Sequence, residues 1–265
     1  MRVITLINGS LISQTSAVYA LSYAKKMGAP LDIIHIRSKD PIEEVRLAAE
    51  ELQNASSEVI TEFFVFDTFK EFEHYLDGKE IDIIFCSTRH DHSLFDKSFA
   101  QTLIRAKLPA DLAISKILKP MQGNIEKIVL PIRSTKLSVE KFSFFTALSE
   151  AYNAKATVYA IDKSTKSNIL SKSVLDHKKR LQEIIFDLRH YLRFSHLFDF
   201  KLSIKHDYSV MEGNQIKAHI ADHNYDLAIV GGHRSHRFFD SHPIDILFSR
   251  PMLNTIYFIP YEERS

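Results

Sequence analysis

Two stretches of similar sequence constrain what this chain can fold into. Each consists of an acidic residue, four apolar residues, two small residues and a basic segment: Asp82–Asp91 (DIIFCSTRHD) and Asp226–Ser235 (DLAIVGGHRS). Four consecutive apolar residues that end in small ones predict a fully buried strand followed by a loop. In an open parallel sheet, ligands bind at the carboxyl ends of such strands, so both loops are candidate binding segments.

The segments before each stretch alternate between predicted strands and predicted helices. Ser13 or Thr15 is the predicted cap of the first helix, Gly28 ends it, and Pro41 lies in the first turn of the second. This alternation indicates a parallel sheet covered on both faces. In the first half the strands are predicted at 3–7, 31–36, 59–66, 81–86 and 112–115, and the helices near 17–27, 42–52, 69–76 and 97–107.

The pattern then restarts at a constant shift. Asn8 and Arg133 follow equivalent strands and lie 125 positions apart (133 − 8 = 125), as do Gly28 and Asn153 (153 − 28 = 125). Asp82 and Asp226 lie 144 apart (226 − 82 = 144), so the second copy has gained 19 residues (144 − 125 = 19). The gain falls in a long helical region whose predicted apolar stripe comprises Leu181, Ile184, Ile185, Leu188 and Leu192. We therefore predict an α/β chain of two tandem Rossmann-like domains, each a mainly parallel five-stranded sheet with helices on both faces, at 1–118 and 126–265 with a linker at 119–125.

Composition excludes several classes of protein. The formal net charge of +1 gives no bulk attraction to nucleic acid or to an anionic membrane. One cysteine among 265 residues allows no internal disulfide and fits a reducing compartment. No apolar run approaches the ~20 residues of a transmembrane segment, and the chain begins directly with a strand. The expected location is the cytoplasm, with no transmembrane segment and no nucleic-acid partner.

The order of elements, the Asn8-Gly9-Ser10 turn and the two loops resemble the universal stress protein family in its tandem, two-domain form. In that family the turn after the first strand is Asp-Gly-Ser-like, and its Asp contacts adenine. The loop after the fourth strand has the form Gly-x-x-Gly, nine residues, then Gly-Ser or Gly-Thr, and it cradles the phosphates of ATP. The resemblance also implies that the halves pair through their last strands as an internal pseudo-dimer.

The first copy departs from the family's nucleotide pattern. Asn8 replaces the Asp, although an amide can still bond a base, and Gly9 and Ser10 are retained. Ser87 stands at the first loop glycine, His90 at the second and Ala100-Gln101 near the third.

The second copy keeps only part of the pattern. Arg133, followed by Ser134 and Thr135, replaces the adenine Asp with a positive charge. Gly231 or Gly232 keeps the first glycine, whereas Arg234 or Ser235 stands at the second. Replacing a glycine that needs positive φ costs on the order of 1 kcal/mol and adds a side chain where phosphate would lie. The sequence thus predicts that the family's ATP motif is degenerate in both halves.

The basic loop residues suggest other ligands. Arginine makes charge-assisted bonds to anions, so an anion site is predicted at the carboxyl end of the sheet, with solvated loop side chains as the alternative. Imidazoles also bind zinc, which makes a metal site a further alternative. The anion candidates are Arg89, His90, His92, His233, Arg234, His236 and Arg237. The metal candidates are His90, His92, His233 and His236, with His242 nearby in sequence.

We predict a stress-response protein that acts by binding a ligand or a protein partner, with no catalytic residue assigned and no certain cofactor. One alternative is a nucleotide-binding protein that takes ATP or AMP through the second loop and hydrolyses it weakly, with Arg133 and Arg234 on the phosphates. Another is a metal- or lipid-binding module, since Lys178-Lys179-Arg180 beside an apolar stripe is typical of membrane-surface helices as well as of solvated ones. Two full chains could also pair as a homodimer. Cys86, at the end of a strand, is predicted to be a core residue.

Overall fold

A computed structural model gives the fold. It describes residues 1–37, 41–88, 99–106, 108–120, 124–132, 138–163, 174–197, 199–231 and 252–261.

The first half alternates strands and helices as the sequence predicts. Its strands are β1 (Arg2–Leu6), β2 (Leu31–Ile36), β3 (Thr61–Phe66), β4 (Ile81–Thr88) and β5 (Asp111–Lys116). Its helices are α1 (Leu11–Met27), α2 (Ile42–Asn54), α3 (Phe69–Leu76) and α4 (Phe99–Arg105).

The second half repeats this order. Its strands are β6 (Lys127–Ile132), β7 (Lys155–Lys163), β8 (Leu202–Ser209), β9 (Leu227–Gly231) and β10 (Asn254–Ile259). Its helices in the described residues are α5 (Val139–Ala151), α6 (Val174–Leu197) and α7 (Glu212–His223).

All ten strands form one sheet, in the order β3-β2-β1-β4-β5-β10-β9-β6-β7-β8. Within each half every pairing is parallel, whereas β5 and β10 pair antiparallel in the middle. The order of the second half is the order of the first, reversed across this central pair. The parallel α/β architecture predicted from the sequence is confirmed, and the two five-stranded halves are continuous through their final strands.

The helices cover both faces of the sheet. One core cluster contains side chains of α1, α2, α5 and α6 and extends across both halves. A second cluster contains side chains of α3, α4 and α7. Because the strands are covered on both faces, their apolar residues run without alternation, as in Leu227, Ala228, Ile229 and Val230 of β9.

The junction of the halves is held by aromatic packing and by hydrogen bonds. The ring of Phe144 on α5 stacks on Phe258 of β10 at 4.8 Å and packs against Tyr23 of α1 at 5.4 Å. The Asn254 side chain accepts from the Leu118 backbone N–H at 2.9 Å and donates to the Tyr19 hydroxyl at 3.0 Å. Contacts from both halves therefore fix their relative position.

Several local details differ from the prediction. The cap of α1 is Ser10, whose Oγ accepts from the Ser13 N–H, so Ser13 and Thr15 were wrong as caps. Ile185 and Leu192 are 45% and 38% exposed, so they do not belong to the buried stripe of α6. Gly28 and Asn153 both adopt the left-handed conformation expected at the equivalent helix ends.

Candidate functional site

The turn after β1 lies at the carboxyl end of the sheet and is closed by its own hydrogen bonds. The Oδ1 atom of Asn8 accepts from the Ser10 backbone N–H at 3.2 Å and from the Ser10 hydroxyl at 2.7 Å. The Asn8 N–H in turn donates to Oγ of Ser13 at 3.2 Å. The side-chain oxygen and the backbone N–H of Asn8 thus both support the residues that cap α1. A ligand that used this carbonyl oxygen would have to displace the Ser10 donors.

Gly9 is required by the packing of this turn. Its φ is +80°, and an added Cβ would lie 3.3 Å from the backbone nitrogen of Val45 in the first turn of α2. Gly28, at +63°, has nothing within 4 Å of such a Cβ. The glycine predicted as a ligand contact therefore has a structural role at the α1–α2 contact.

We expect Gly9→Ala to lower the free energy of unfolding by about 1–3 kcal/mol, because left-handed strain adds to the close approach to α2. Urea denaturation followed by circular dichroism measures it. Gly28→Ala, which carries the strain without the close approach, is the matched control and should cost about 1 kcal/mol. Equal losses in the two variants would contradict the packing role.

The end of β4 carries hydroxyl groups in place of the family's glycines. Ser87 is half-buried and stands opposite Ser115 of β5, whose Oγ accepts from the Ser16 hydroxyl at 3.1 Å. The buried hydroxyl of Thr88, one residue further, has no hydrogen-bond partner within the described ranges. This end of the first half is lined by small polar groups.

At the equivalent end of the second half, the side chain of Lys141 lies against Gly231. A Cβ added to Gly231 would come within 2.5 Å of Cδ and 2.6 Å of Nζ of Lys141. Lys141 belongs to the first turn of α5, so its side chain crosses the end of β9 from the neighbouring helix. The Lys141 side chain thus occupies the space that a Cβ at position 231 would take, and a larger residue there would displace it.

The Lys141 ammonium is half-buried, and this burial lowers its pKa. Among the residues that the structure describes, no carboxylate pairs with it. The partial positive charge at the amino end of α5 also disfavours the protonated form of Lys141. Within the described residues, no group therefore offsets the charge of its ammonium. An anion in front of Nζ would offset both effects.

Lys141 was missed by the sequence analysis, although the repeat contains the signal. The shift of 125 makes Lys141 the counterpart of Ser16 (141 − 125 = 16), and the shift of 144 makes Gly231 the counterpart of Ser87 (231 − 144 = 87). Two small residues in the first half thus correspond to a long cation and a glycine in the second. At these equivalent positions, the second half therefore has a cation and a glycine where the first half has two hydroxyl groups.

The remaining sequence-predicted site residues lie outside the described residues. They are Arg89, His90, His92, Arg133, Ser134, Thr135, Gly232, His233, Arg234, Ser235, His236, Arg237 and His242. Within the described ranges, no three His, Cys, Asp or Glu side chains are grouped so that they could hold a metal ion.

Cys86 is a core residue, as predicted. Its side chain is 1% exposed, and burial raises the pKa of its thiol to about 12. The thiol is therefore protonated at neutral pH and is a poor nucleophile.

Comparison with solved structures identifies the fold. A universal stress protein from Archaeoglobus fulgidus DSM 4304 is similar, with a TM-score of 0.60 and 12% identity over 98% of each chain. A functionally unknown protein from Pseudomonas aeruginosa PAO1 gives 0.58 and 12%, over 98% of this chain and 92% of that one. The cytoplasmic domain of a prokaryotic cation chloride cotransporter gives 0.61 and 9%, over 99% and 96%. The chain thus has the universal stress protein fold over nearly its whole length, as the resemblance predicted.

The sequence itself matches no family model and no curated protein. In the described parts of the chain, no helix combines the length and the apolar character needed to cross a membrane.

Proposed function

We propose that this protein acts in a cytoplasmic stress response by binding, without catalysis, and that it takes a small anion at the carboxyl end of its second half. The observation that carries the proposal is the half-buried Lys141 ammonium lying on Gly231 with no described carboxylate beside it. The similarity to a universal stress protein and to a cytoplasmic transporter domain supports the cellular setting. Homodimer formation and a protein partner stay predictions.

The mode of binding differs from the one that the family resemblance implies. In the family, glycines leave the backbone N–H groups open to the phosphates of ATP. Here the end of the Lys141 side chain, including its ammonium, lies beside Gly231, so a phosphate or carboxylate bound at this position would contact the ammonium. An ammonium is a compact point charge with three donors and can bind such an oxyanion without a glycine-rich cradle. In the first half, the side-chain oxygen of Asn8 already accepts hydrogen bonds from the backbone N–H and the hydroxyl of Ser10.

The charge also contributes to the affinity expected of such a site. An uncompensated half-buried cation opposes folding, because its hydration is lost without a partner. A bound anion would offset this cost, and the gain would add to its binding affinity. A hydrogen bond to a charged group contributes about 1.5–3 kcal/mol. With no carboxylate beside it in the described residues, Lys141 has the charge and burial that favour binding of an anion.

We expect Lys141→Gln to weaken the binding of inorganic pyrophosphate by about tenfold or more, because the neutral amide loses the charge-assisted bonds. Isothermal titration calorimetry on the full chain measures the affinity. Lys70→Gln, which removes the same charge from an exposed position on α3, is the matched control and should leave it unchanged.

The stability of the same variant distinguishes loss of a site from loss of the fold. Lys141→Gln should melt at the same temperature as the unaltered protein or above it, because a poorly hydrated charge is removed. Unchanged pyrophosphate affinity in a stably folded Lys141→Gln variant, measured in chains that also carry Lys155→Gln/Lys201→Gln to remove the second site described below, would refute the proposal.

A further inference from the structure

A cleft lies at the opposite end of the sheet from the site at Lys141. It has a volume of about 1010 Å³ and is found where β6, β7 and β8 begin and where α5, α6 and α7 end. A cleft of this size can enclose a small organic ligand. Nothing in the proposed function uses it.

The duplicated fold provides an internal comparison for this cleft. In the first half, the amino end of the sheet is closed by a charged cluster. Both Arg2 Nε and Nη2 donate to the fully buried carboxylate of Asp32, at 2.9 Å and 2.6 Å. Arg2 also pairs with Glu62 at 3.2 Å, and the Tyr75 hydroxyl donates to Asp32 at 2.8 Å. The cluster thus contains one cation and two carboxylates.

Strand register identifies the equivalent positions in the second half. Val3 pairs with Leu31 and Ile128 with Ala156, so a shift of 125 relates the two pairs. The same shift converts Arg2 into Lys127 and Asp32 into Thr157.

The third strand completes the comparison. Asp32 pairs with Glu62, and its counterpart Thr157 pairs with Ser203. Both carboxylates of the first half are therefore replaced by hydroxyl groups, while the cation is kept.

The lining of the cleft has an excess of cations. It contains five lysines and two carboxylates, and one lysine, Lys26, is paired with Glu150 at 2.8 Å. Four lysines then remain with the single carboxylate of Asp199. One of these four lysines has a backbone partner, since Lys127 Nζ donates to the carbonyl of His223 at 3.1 Å. The lysines that line the cleft are Lys26, Lys127, Lys155, Lys201 and Lys205.

The cleft also has hydrogen-bonding capacity and apolar walls. The hydroxyl of Ser149 borders it, is completely shielded from solvent, and has no hydrogen-bond partner in the described residues. A buried polar atom without a partner is uncommon in folded proteins. The buried side chains of Phe200 and Tyr225 line the same cleft and could pack on a ligand body.

We infer that this cleft binds a small molecule that carries more than one phosphate group. The lysines supply positive charge that the carboxylates of the lining do not balance, and the buried Phe200 and Tyr225 side chains form apolar walls for the rest of the ligand. The inference is independent of the site at Lys141, because the two sites lie at opposite ends of the strands.

Inorganic tripolyphosphate is the probe for this cleft, and isothermal titration calorimetry on the full chain measures its binding. We expect Lys155→Gln/Lys201→Gln to weaken tripolyphosphate binding by about tenfold or more. Thr157→Asp, which restores the carboxylate of the first half, should weaken it to a similar extent by repelling the anion. Lys70→Gln/Lys179→Gln removes the same charge from exposed positions outside the cleft and should leave the affinity unchanged.

The Lys141→Gln variant separates the two sites, since it should leave this component of tripolyphosphate binding in place. Circular dichroism and melting temperature establish that each variant is folded. No binding at millimolar tripolyphosphate would overturn the inference. So would a folded Lys155→Gln/Lys201→Gln variant that binds as tightly as the Lys70→Gln/Lys179→Gln control.

Discussion

Replacing Phe144 with alanine is expected to lower the free energy of unfolding by about 3–5 kcal/mol, the usual cost of removing a buried phenylalanine ring. The side chain is 3% exposed. It lies between the halves, stacked on Phe258 and packed against Tyr23 and against Phe85 at 5.9 Å. The cavity would be bordered by β4 and α1 of the first half and by β10 of the second. Loss of this ring therefore weakens the junction as well as the core.

Urea denaturation followed by far-ultraviolet circular dichroism measures the effect of Phe144→Ala. Phe186→Ala is the matched control, because this ring lies on α6 and is 58% exposed, and it should cost within about 0.5 kcal/mol. A loss below about 1 kcal/mol for Phe144→Ala would mean that the halves do not depend on this contact.

Replacing Arg2 with methionine is expected to cost about 3–5 kcal/mol at neutral pH, because it leaves the fully buried Asp32 carboxylate without its cation. Only the Tyr75 hydroxyl would still donate to that carboxylate among the described contacts. The aliphatic part of arginine is replaced by a side chain of similar length, so the loss reports the charge rather than a cavity.

An exposed ion pair supplies the control for Arg2→Met. Arg37 and Asp67 lie 2.9 Å apart with side chains 65% and 63% exposed, and Arg37→Met should cost about 0–1 kcal/mol. The double variant Arg2→Met/Asp32→Leu should recover part of the loss, because it removes the unpaired charge. Equal effects of Arg2→Met and Arg37→Met in chemical denaturation would contradict the buried cluster.

The fold was largely predictable because its signals are local. Helix α3 and strand β2 have the predicted bounds, since the caps, glycines and apolar runs that define them are adjacent in sequence. The stripe of α6 shows the limit of this approach. Ile184, Leu188, Tyr191 and Ser195 are buried at helical spacing, whereas Ile185 and Leu192 lie at the flank of that face. Periodicity identified the helix, but tertiary packing chose which of its residues are buried.

The candidate sites were less predictable because they depend on contacts between distant residues. Lys141 and Gly231 belong to different elements, and only the structure shows that one lies on the other. Likewise, Thr157 and Ser203 become the counterparts of Asp32 and Glu62 only when the register of β3 and β8 is known. The sequence analysis looked for the family's glycines and so identified what was missing from the ATP loop. It gave no reason to examine Lys141, which lies on a helix and outside both loops.

The most direct test of the proposed function is a calorimetric comparison of pyrophosphate and ATP. It uses chains that carry Lys155→Gln/Lys201→Gln, so that the second cleft does not contribute, with and without Lys141→Gln. We expect the two ligands to bind with affinities within about tenfold of each other, and Lys141→Gln to weaken both by about tenfold or more, because the ammonium recognises the phosphates. Tight ATP binding that ADP competes for, that pyrophosphate does not, and that Lys141→Gln leaves unchanged would contradict the account.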